Sequence, residues 1–336
     1  MSSEFSTGCT WYRTQVHDIP SLQHRLVMFT GSTSGVGKST LSDFLYRQLV
    51  AHGIPTHWIY EEDFVRMDVL AEYNRRWYGG EAGTADALLD AARALFTDHA
   101  VRDEVWITDT LFPGFFWLLG REPLGCIERY GKELARLVLP LRPLIVYIDA
   151  DVPTAFDRAI AVRGDEWGVR IIEFIKTWKL PYYPHALRTR DDVLRFQEWV
   201  NNHVRTLLQS WPADVLTLDT TRSSLPETQR VLLRHFGLIE VPGATLSPTV
   251  LQSFTGVYEP APENAEAGLL IVTLKEGALF INRFWPTGCR LVPEGATDFR
   301  LAAASRRIQF KTDATGDVVG LTYILPNAVH RYQKRT

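Results

Sequence analysis

Residues 31–40 read Gly-Ser-Thr-Ser-Gly-Val-Gly-Lys-Ser-Thr, and no other stretch constrains the chain as tightly. The apolar run 25–29 (RLVMF) precedes them, and Leu41, Phe44, Leu45 and Leu49 follow at helical spacing. The pattern predicts a buried strand that ends in a glycine-rich turn and opens a helix. Such a turn presents backbone N–H groups, and the helix start adds the positive end of its dipole, so phosphate oxygens are the matching ligand. Gly31, Ser32, Thr33, Ser34, Gly35, Val36, Gly37, Lys38, Ser39 and Thr40 are therefore the candidate phosphate-binding residues. Lys38 is expected to reach β- and γ-phosphates, and Ser39 to place its hydroxyl on Mg²⁺. One departure stands out. The pattern G-x-x-x-x-G-K-[ST] sets its first glycine at position 32, where this chain has Ser32, and Gly31 comes one residue early.

Short apolar runs at 56–60, 105–108, 144–148 and 215–218 read as further core strands. Helix-like segments at 85–98, 128–139, 153–162 and 190–209 lie between them. Strands alternating with helices predict an α/β domain, a parallel sheet flanked by helices on both faces. Its ligand site is expected at the carboxyl ends of the strands. We place this domain at 23–240, after an N-terminal tail at 1–22. Two prolines, a glycine and small polar residues mark 241–252 as a linker. From 253 to 336 the pattern changes to short alternating runs at 269–274, 278–284, 299–303, 307–311 and 318–324, separated by turn signals. These predict antiparallel hairpins closing into a small β-barrel-like domain.

A formal charge of −3 over 336 residues argues against a nucleic-acid partner. Cys9, Cys126 and Cys289 are far apart, which indicates neither a disulfide framework nor a zinc site and favours a reducing compartment. The first twenty residues lack the apolar core of a signal or anchor. The apolar stretch 111–120 is too short to span a bilayer. The expectation is a soluble cytoplasmic protein with no membrane partner.

A phosphate-binding turn serves many reactions. No N-K-x-D or L-S-G-G-Q element accompanies this one, and no D-x-x-G follows the third strand. Three other places are similar to the nucleoside and nucleotide kinase group, which includes thymidylate-kinase-like and deoxynucleoside-kinase-like enzymes. The second strand ends in Glu61-Glu62-Asp63, where those kinases carry a catalytic carboxylate; the choice among the three is open. The third strand ends in Thr108-Asp109-Thr110, which resembles the position of an acidic residue that organises Mg²⁺ or binds substrate. Residues 147–153 lead into Phe156-Asp157-Arg158-Ala159-Ile160-Ala161-Val162-Arg163-Gly164, similar to the strand, helix and arginine-bearing lid of the group. A spacing of five sets Arg158 and Arg163 roughly 140° apart on a helix, so they need not share a face unless the helix ends between them, an ending that Gly164 supplies. The resemblance implies ATP and Mg²⁺ as cofactors, with Lys38, a carboxylate of 61–63, Asp109, Arg158 and Arg163 catalytic.

In those kinases the regions after the second and third strands form the acceptor pocket. Here they carry Arg66, Arg75, Arg76 and Trp77, and then Phe115 within a run of aromatics; Trp178, Tyr182 and Tyr183 follow the lid. Aromatic faces and guanidinium groups suit a ring-shaped acceptor with polar substituents. A nucleoside-like metabolite or an antibiotic hydroxyl is the first expectation for the small-molecule acceptor. The alternatives are a nucleoside monophosphate, held by Arg66, Arg75 and Arg76, and a nucleotide-dependent switch acting on a protein partner. The succession of short motifs from Phe254 to Leu321 resembles the lipocalin-like β-domain appended to some serine β-lactamase-like hydrolases. Structural stabilisation, homodimer formation and covering of the kinase cleft are all open roles for it. Phe284 and Trp285 are candidate anchors at such a contact.

Overall fold

The computed structural model describes residues 23–31, 33–97, 104–178, 183–283, 285 and 287–335. The expected tail, Ser32, Tyr182, Phe284 and Pro286 lie outside the described residues.

The first unit is a five-stranded parallel sheet flanked by helices, with strand order β2-β3-β1-β4-β5. Its strands are β1 (Leu26–Thr30), β2 (Thr56–Ile59), β3 (Val105–Asp109), β4 (Pro143–Asp149) and β5 (Asp214–Asp219). Every residue of β1 and β3 is buried, so these strands read as unbroken apolar runs rather than alternating ones. Successive side chains still point to opposite faces. Leu26 and Met28 join one core cluster with Ile145 and Tyr147, while Val27 and Phe29 join another with Leu144, Val146 and Ile148.

Helix α1 (Lys38–Ala51) and α9 (Leu225–His235) cover the second face through Leu41, Phe44, Leu45, Leu232 and Leu233. The first face is covered by α2 (Ala71–Gly79), α3 (Thr84–Phe96), α4 (Phe115–Leu119), α5 (Leu124–Val138) and α8 (Arg190–Gln209). Helices α6 (Val152–Arg163) and α7 (Asp165–Lys176) follow β4. Among the described residues, no helix is long and apolar enough to cross a membrane.

The second unit is a closed eight-stranded antiparallel barrel. Its strands are β6 (Gly256–Pro260), β7 (Leu270–Lys275), β8 (Ala278–Ile281), β9 (Cys289–Pro293), β10 (Asp298–Leu301), β11 (Arg307–Thr312), β12 (Val318–Leu325) and β13 (Ala328–Lys334). Each pairs with its neighbour in sequence, and β13 pairs with β6 to close the ring, leaving no open edge. Side chains fill the inside, with Phe299 and Phe310 packed at 5.3 Å between ring centroids. The expected linker is structured at both ends. Val241 exchanges two hydrogen bonds with the Gln48 side chain of α1, at 2.7 and 2.9 Å, and α10 (Pro248–Ser253) leads Phe254 onto the barrel core.

The two units meet through a buried charge. Arg300 of β10 is 3% exposed, and its Nη2 lies 2.6 Å from Asp43 Oδ1 of α1, itself buried. The guanidinium also sits 5.3 Å from the Tyr46 ring and 5.4 Å from the Trp58 ring. Burial pushes the Asp43 carboxyl up, and Arg300 opposes that shift. Removing one partner of such a pair strands the other charge out of water. Asp43→Ala leaves Arg300 with Glu294 at 3.5 Å, so we expect a loss near the low end of the usual range, about 3 kcal/mol. Asp43→Leu combined with Arg300→Met should recover most of it in denaturant unfolding. A single variant as stable as the parent protein would contradict the role given to the pair.

Candidate active site

The turn after β1 lies against two neighbours at contact distance. A Cβ at Gly31 would fall 2.8 Å from the Ile148 carbonyl oxygen of β4. A Cβ at Gly35, whose φ is +81°, would fall 1.9 Å from the Ala155 carbonyl oxygen of α6. The early glycine therefore has a structural reason: it lets the turn leave β1 beside β4. Gly37 precedes α1 with φ +102°, and no side chain caps the first turn of the helix.

Lys38 is half-buried, and its Nζ donates to the Thr33 carbonyl at 2.8 Å. Burial lowers its pKa, against the opposing pull of Glu61 and Asp109. Thr33 Oγ1 in turn donates to Gln197 Oε1 at 2.8 Å, tying the turn to α8. Asp109 ends β3 and is fully buried. Thr110 Oγ1 donates to its Oδ1 at 3.1 Å, and Oδ2 has no hydrogen-bond partner among the described residues. Burial, then the Glu61 charge, pushes the Asp109 carboxyl up to about 7, while Ser39 and Lys38 pull it back. Thr110 itself has φ +68°, uncommon for a β-branched residue, and its N–H donates to the Phe29 carbonyl at 2.9 Å.

The three carboxylates after β2 face different surroundings. Glu61 lines a cavity of about 440 Å³ together with Lys38, Ser39, Thr110, Arg158 and Arg163. Glu62 lies 3.8 Å from Arg306 of the barrel. Asp63 keeps Oδ1 buried with no hydrogen-bond partner among the described residues. Arg158 donates to the Thr220 carbonyl at 2.9 Å. Gly164 ends α6, as expected, and Arg163 stacks between the rings of Trp167 at 4.7 Å and Trp285 at 4.4 Å. Both arginines reach the same cavity.

One wall is apolar, built from Phe116, Trp117, Ile171, Ile175 and Trp178. The indole N–H groups of Trp117 and Trp178 are buried with no hydrogen-bond partner among the described residues. Donors so placed are costly unless something accepts from them.

Of the expected acceptor residues, Trp178 and the Phe116-Trp117 part of the aromatic run line the cavity, and the other described ones lie elsewhere. Arg75 is held by Glu72 and Glu81, with its closest contact 2.6 Å, and Arg76 by Glu72 at 2.6 Å. Glu72, three and four residues before them on the same helix, pairs with both arginines at the surface, and Glu81 just beyond the helix adds to Arg75. Arg66 is exposed and, with Arg75, borders a separate shallow depression. Trp77 is buried behind the wall, with ring centroids 5.2 Å from Trp117 and 6.0 Å from Trp178. Phe115 is core, packed on Tyr130 and Trp211. None of these five lines the cavity, and Tyr183 packs on Phe196 and Trp199 instead. Sequence reading missed Thr110, Gln197, Phe280 and Arg290, all of which line it.

The residues present suit a magnesium ion carried by phosphates: an unpartnered, buried carboxylate oxygen of Asp109 stands near the Ser39 hydroxyl. Among the described residues, no group of three or more His, Cys, Asp or Glu side chains could hold a metal alone.

Asp109 also makes a pH prediction. Its folded pKa is raised from 3.8 to about 7, so ionising it costs the fold more than it costs the unfolded chain. Asp109→Asn removes that cost. In metal- and nucleotide-free buffer, the melting temperature of the variant relative to the parent should climb between pH 3.8 and about 7, then stay level. A difference that does not change with pH would contradict the assignment.

No protein-family model and no curated protein matches the chain. A solved structure of deoxyadenosine kinase from M. mycoides with bound dATP is similar at a TM-score of 0.38 and 13% identity, covering 63% of this chain and 99% of its own. A likeness at that score carries no weight for fold or activity, and the architecture above stands on its own strand pairings.

Proposed function

We propose that the protein is an ATP-dependent phosphotransferase that moves the γ-phosphate to a hydroxyl of an uncharged, largely apolar or ring-shaped small molecule. The observation that carries this reading is a single cavity that joins the Gly35–Lys38 turn, Glu61 and an apolar wall of Phe116, Trp117, Ile171, Ile175 and Trp178. The turn and Lys38 hold the phosphates of the nucleotide. Magnesium, held through Ser39 and Asp109, supplies charge neutralisation on those phosphates when bound. Glu61 accepts the proton of the acceptor hydroxyl as its oxygen attacks phosphorus, and the bond to the leaving ADP oxygen breaks in line. Arg163 and Arg158 offset charge developing on the transferred group. Phe116, Trp117 and Trp178 exclude water and orient the acceptor through their apolar faces.

A nucleoside monophosphate suits this cavity less well. The arginines that would hold its phosphate, Arg66, Arg75 and Arg76, do not line the cavity. The lipocalin-like resemblance of the barrel adds no chemistry to this reading.

The test is ATP consumption and product mass against a panel of uncharged hydroxyl compounds. Lys38→Ala should lower turnover by about 10²–10³-fold. Glu61→Gln should lower it by about 10²–10⁴-fold with nucleotide binding retained, whereas Glu62→Gln should change it little. Turnover unaffected by Lys38→Ala would refute the phosphotransfer reading.

A further inference from the structure

The barrel touches the α/β unit on either side of the β3 and β1 pair in the sheet. At the β2 side, Arg300 holds Asp43 and Arg306 lies against Glu62. At the β4 side, Thr287 Oγ1 donates to the Val162 carbonyl near the end of α6, and Trp285 stacks on Arg163. From the barrel, Trp285, Gly288, Cys289 and Arg290 thus line the cavity.

Charge makes this wall informative. Lys38, Arg158, Arg163 and Arg290 all line the cavity, and Glu61 is the acidic residue on its lining. Arg290 is exposed and forms no ion pair among the described residues. Like charges gathered at one cleft repel unless an anion bridges them, and a cleft so lined concentrates anionic ligands. The guanidinium of Arg163, clamped by two indole faces, keeps its N–H edges available for an anion.

We propose that the barrel completes the phosphate site in cis: Arg290 contacts the phosphate chain of the bound nucleotide, and Trp285 positions Arg163 for the same ligand. This rests on the nucleotide-binding reading above and goes beyond it by giving the C-terminal unit a part in the site. The ligand class is a nucleoside triphosphate, recognised through its polyphosphate. A charge-assisted hydrogen bond from a rigid guanidinium fork is the interaction expected.

Full-length protein titrated with the fluorescent nucleotide mant-ATP in Mg²⁺ buffer tests this. Arg290→Ala should weaken binding by about tenfold or more, and Arg290→Lys should recover part of the loss. Lys311→Ala, which removes an exposed barrel charge away from the cavity, should leave affinity within about twofold. Trp285→Ala should weaken binding several-fold, and Trp285→Phe, which keeps an aromatic face, should restore it; a merely structural role would not show that rescue at unchanged melting temperature. If Lys38→Ala weakens binding but Arg290→Ala does not, the barrel takes no part in the phosphate site and the proposal alone falls. If Lys38→Ala has no effect either, the nucleotide reading falls with it.

Discussion

Position 35 can carry no side chain. The turn between β1 and α1 presses its backbone onto the Ala155 carbonyl of α6, and a Cβ there would lie 1.9 Å from that oxygen. Gly31 makes the companion approach to β4. These contacts fix the start of α1, and with it Lys38 and Ser39, relative to the strand ends that deliver Glu61 and Asp109. They also bring the turn against the helix that carries Arg158 and Arg163. A larger residue at either glycine would displace the turn, and the cavity is what that displacement would distort.

The second dependency is electrostatic. Asp43 and Arg300 are both nearly fully buried, and each has lost the water that would otherwise pay for its charge. Their pairing joins the helix that starts at Lys38 to β10 of the barrel, flanked by Tyr46 and Trp58. Tyr60, next to Glu61, packs into the barrel's hydrophobic cluster as well as lining the cavity. The C-terminal unit is therefore joined to the elements that carry the site.

Strands β1, β3 and β4 were legible because burial on both faces makes them continuous apolar runs. Helix α8 spans the expected 190–209, and a capping box of Thr189 and Asp192 fixes its start. Strands β6, β9 and β13 escaped notice for local reasons: β6 is five residues that begin with Gly256, end with Pro260 and bury only Tyr258 fully. β9 is five residues with Arg290 and Pro293 in it, and β13 buries only Tyr332 fully. The resemblance to the kinase group pointed to the segments of Lys38, Arg158 and Arg163 and to one of Glu61, Glu62 and Asp63 without choosing among them; Lys38, Glu61, Arg158 and Arg163 line one cavity, and Asp109 is buried beside it. Arg75 and Arg76 misled, since proximity in sequence to aromatic residues says nothing about a glutamate one helical turn away, and Arg66 is exposed at a separate depression. Arg290 could not be read at all: it comes from another unit, and tertiary contacts between the units, through Asp43, Glu62, Val162 and Arg163, bring it to the cavity.

The central claim is that one site is shared by the α/β unit and the barrel. Hydrogen–deuterium exchange on the full chain, with and without ATP and Mg²⁺, tests it most directly. The account predicts slowed exchange at residues 33–40 and, in the same experiment, at residues 287–293 of the barrel. Protection confined to the α/β unit, with the barrel unchanged at saturating nucleotide, would contradict it.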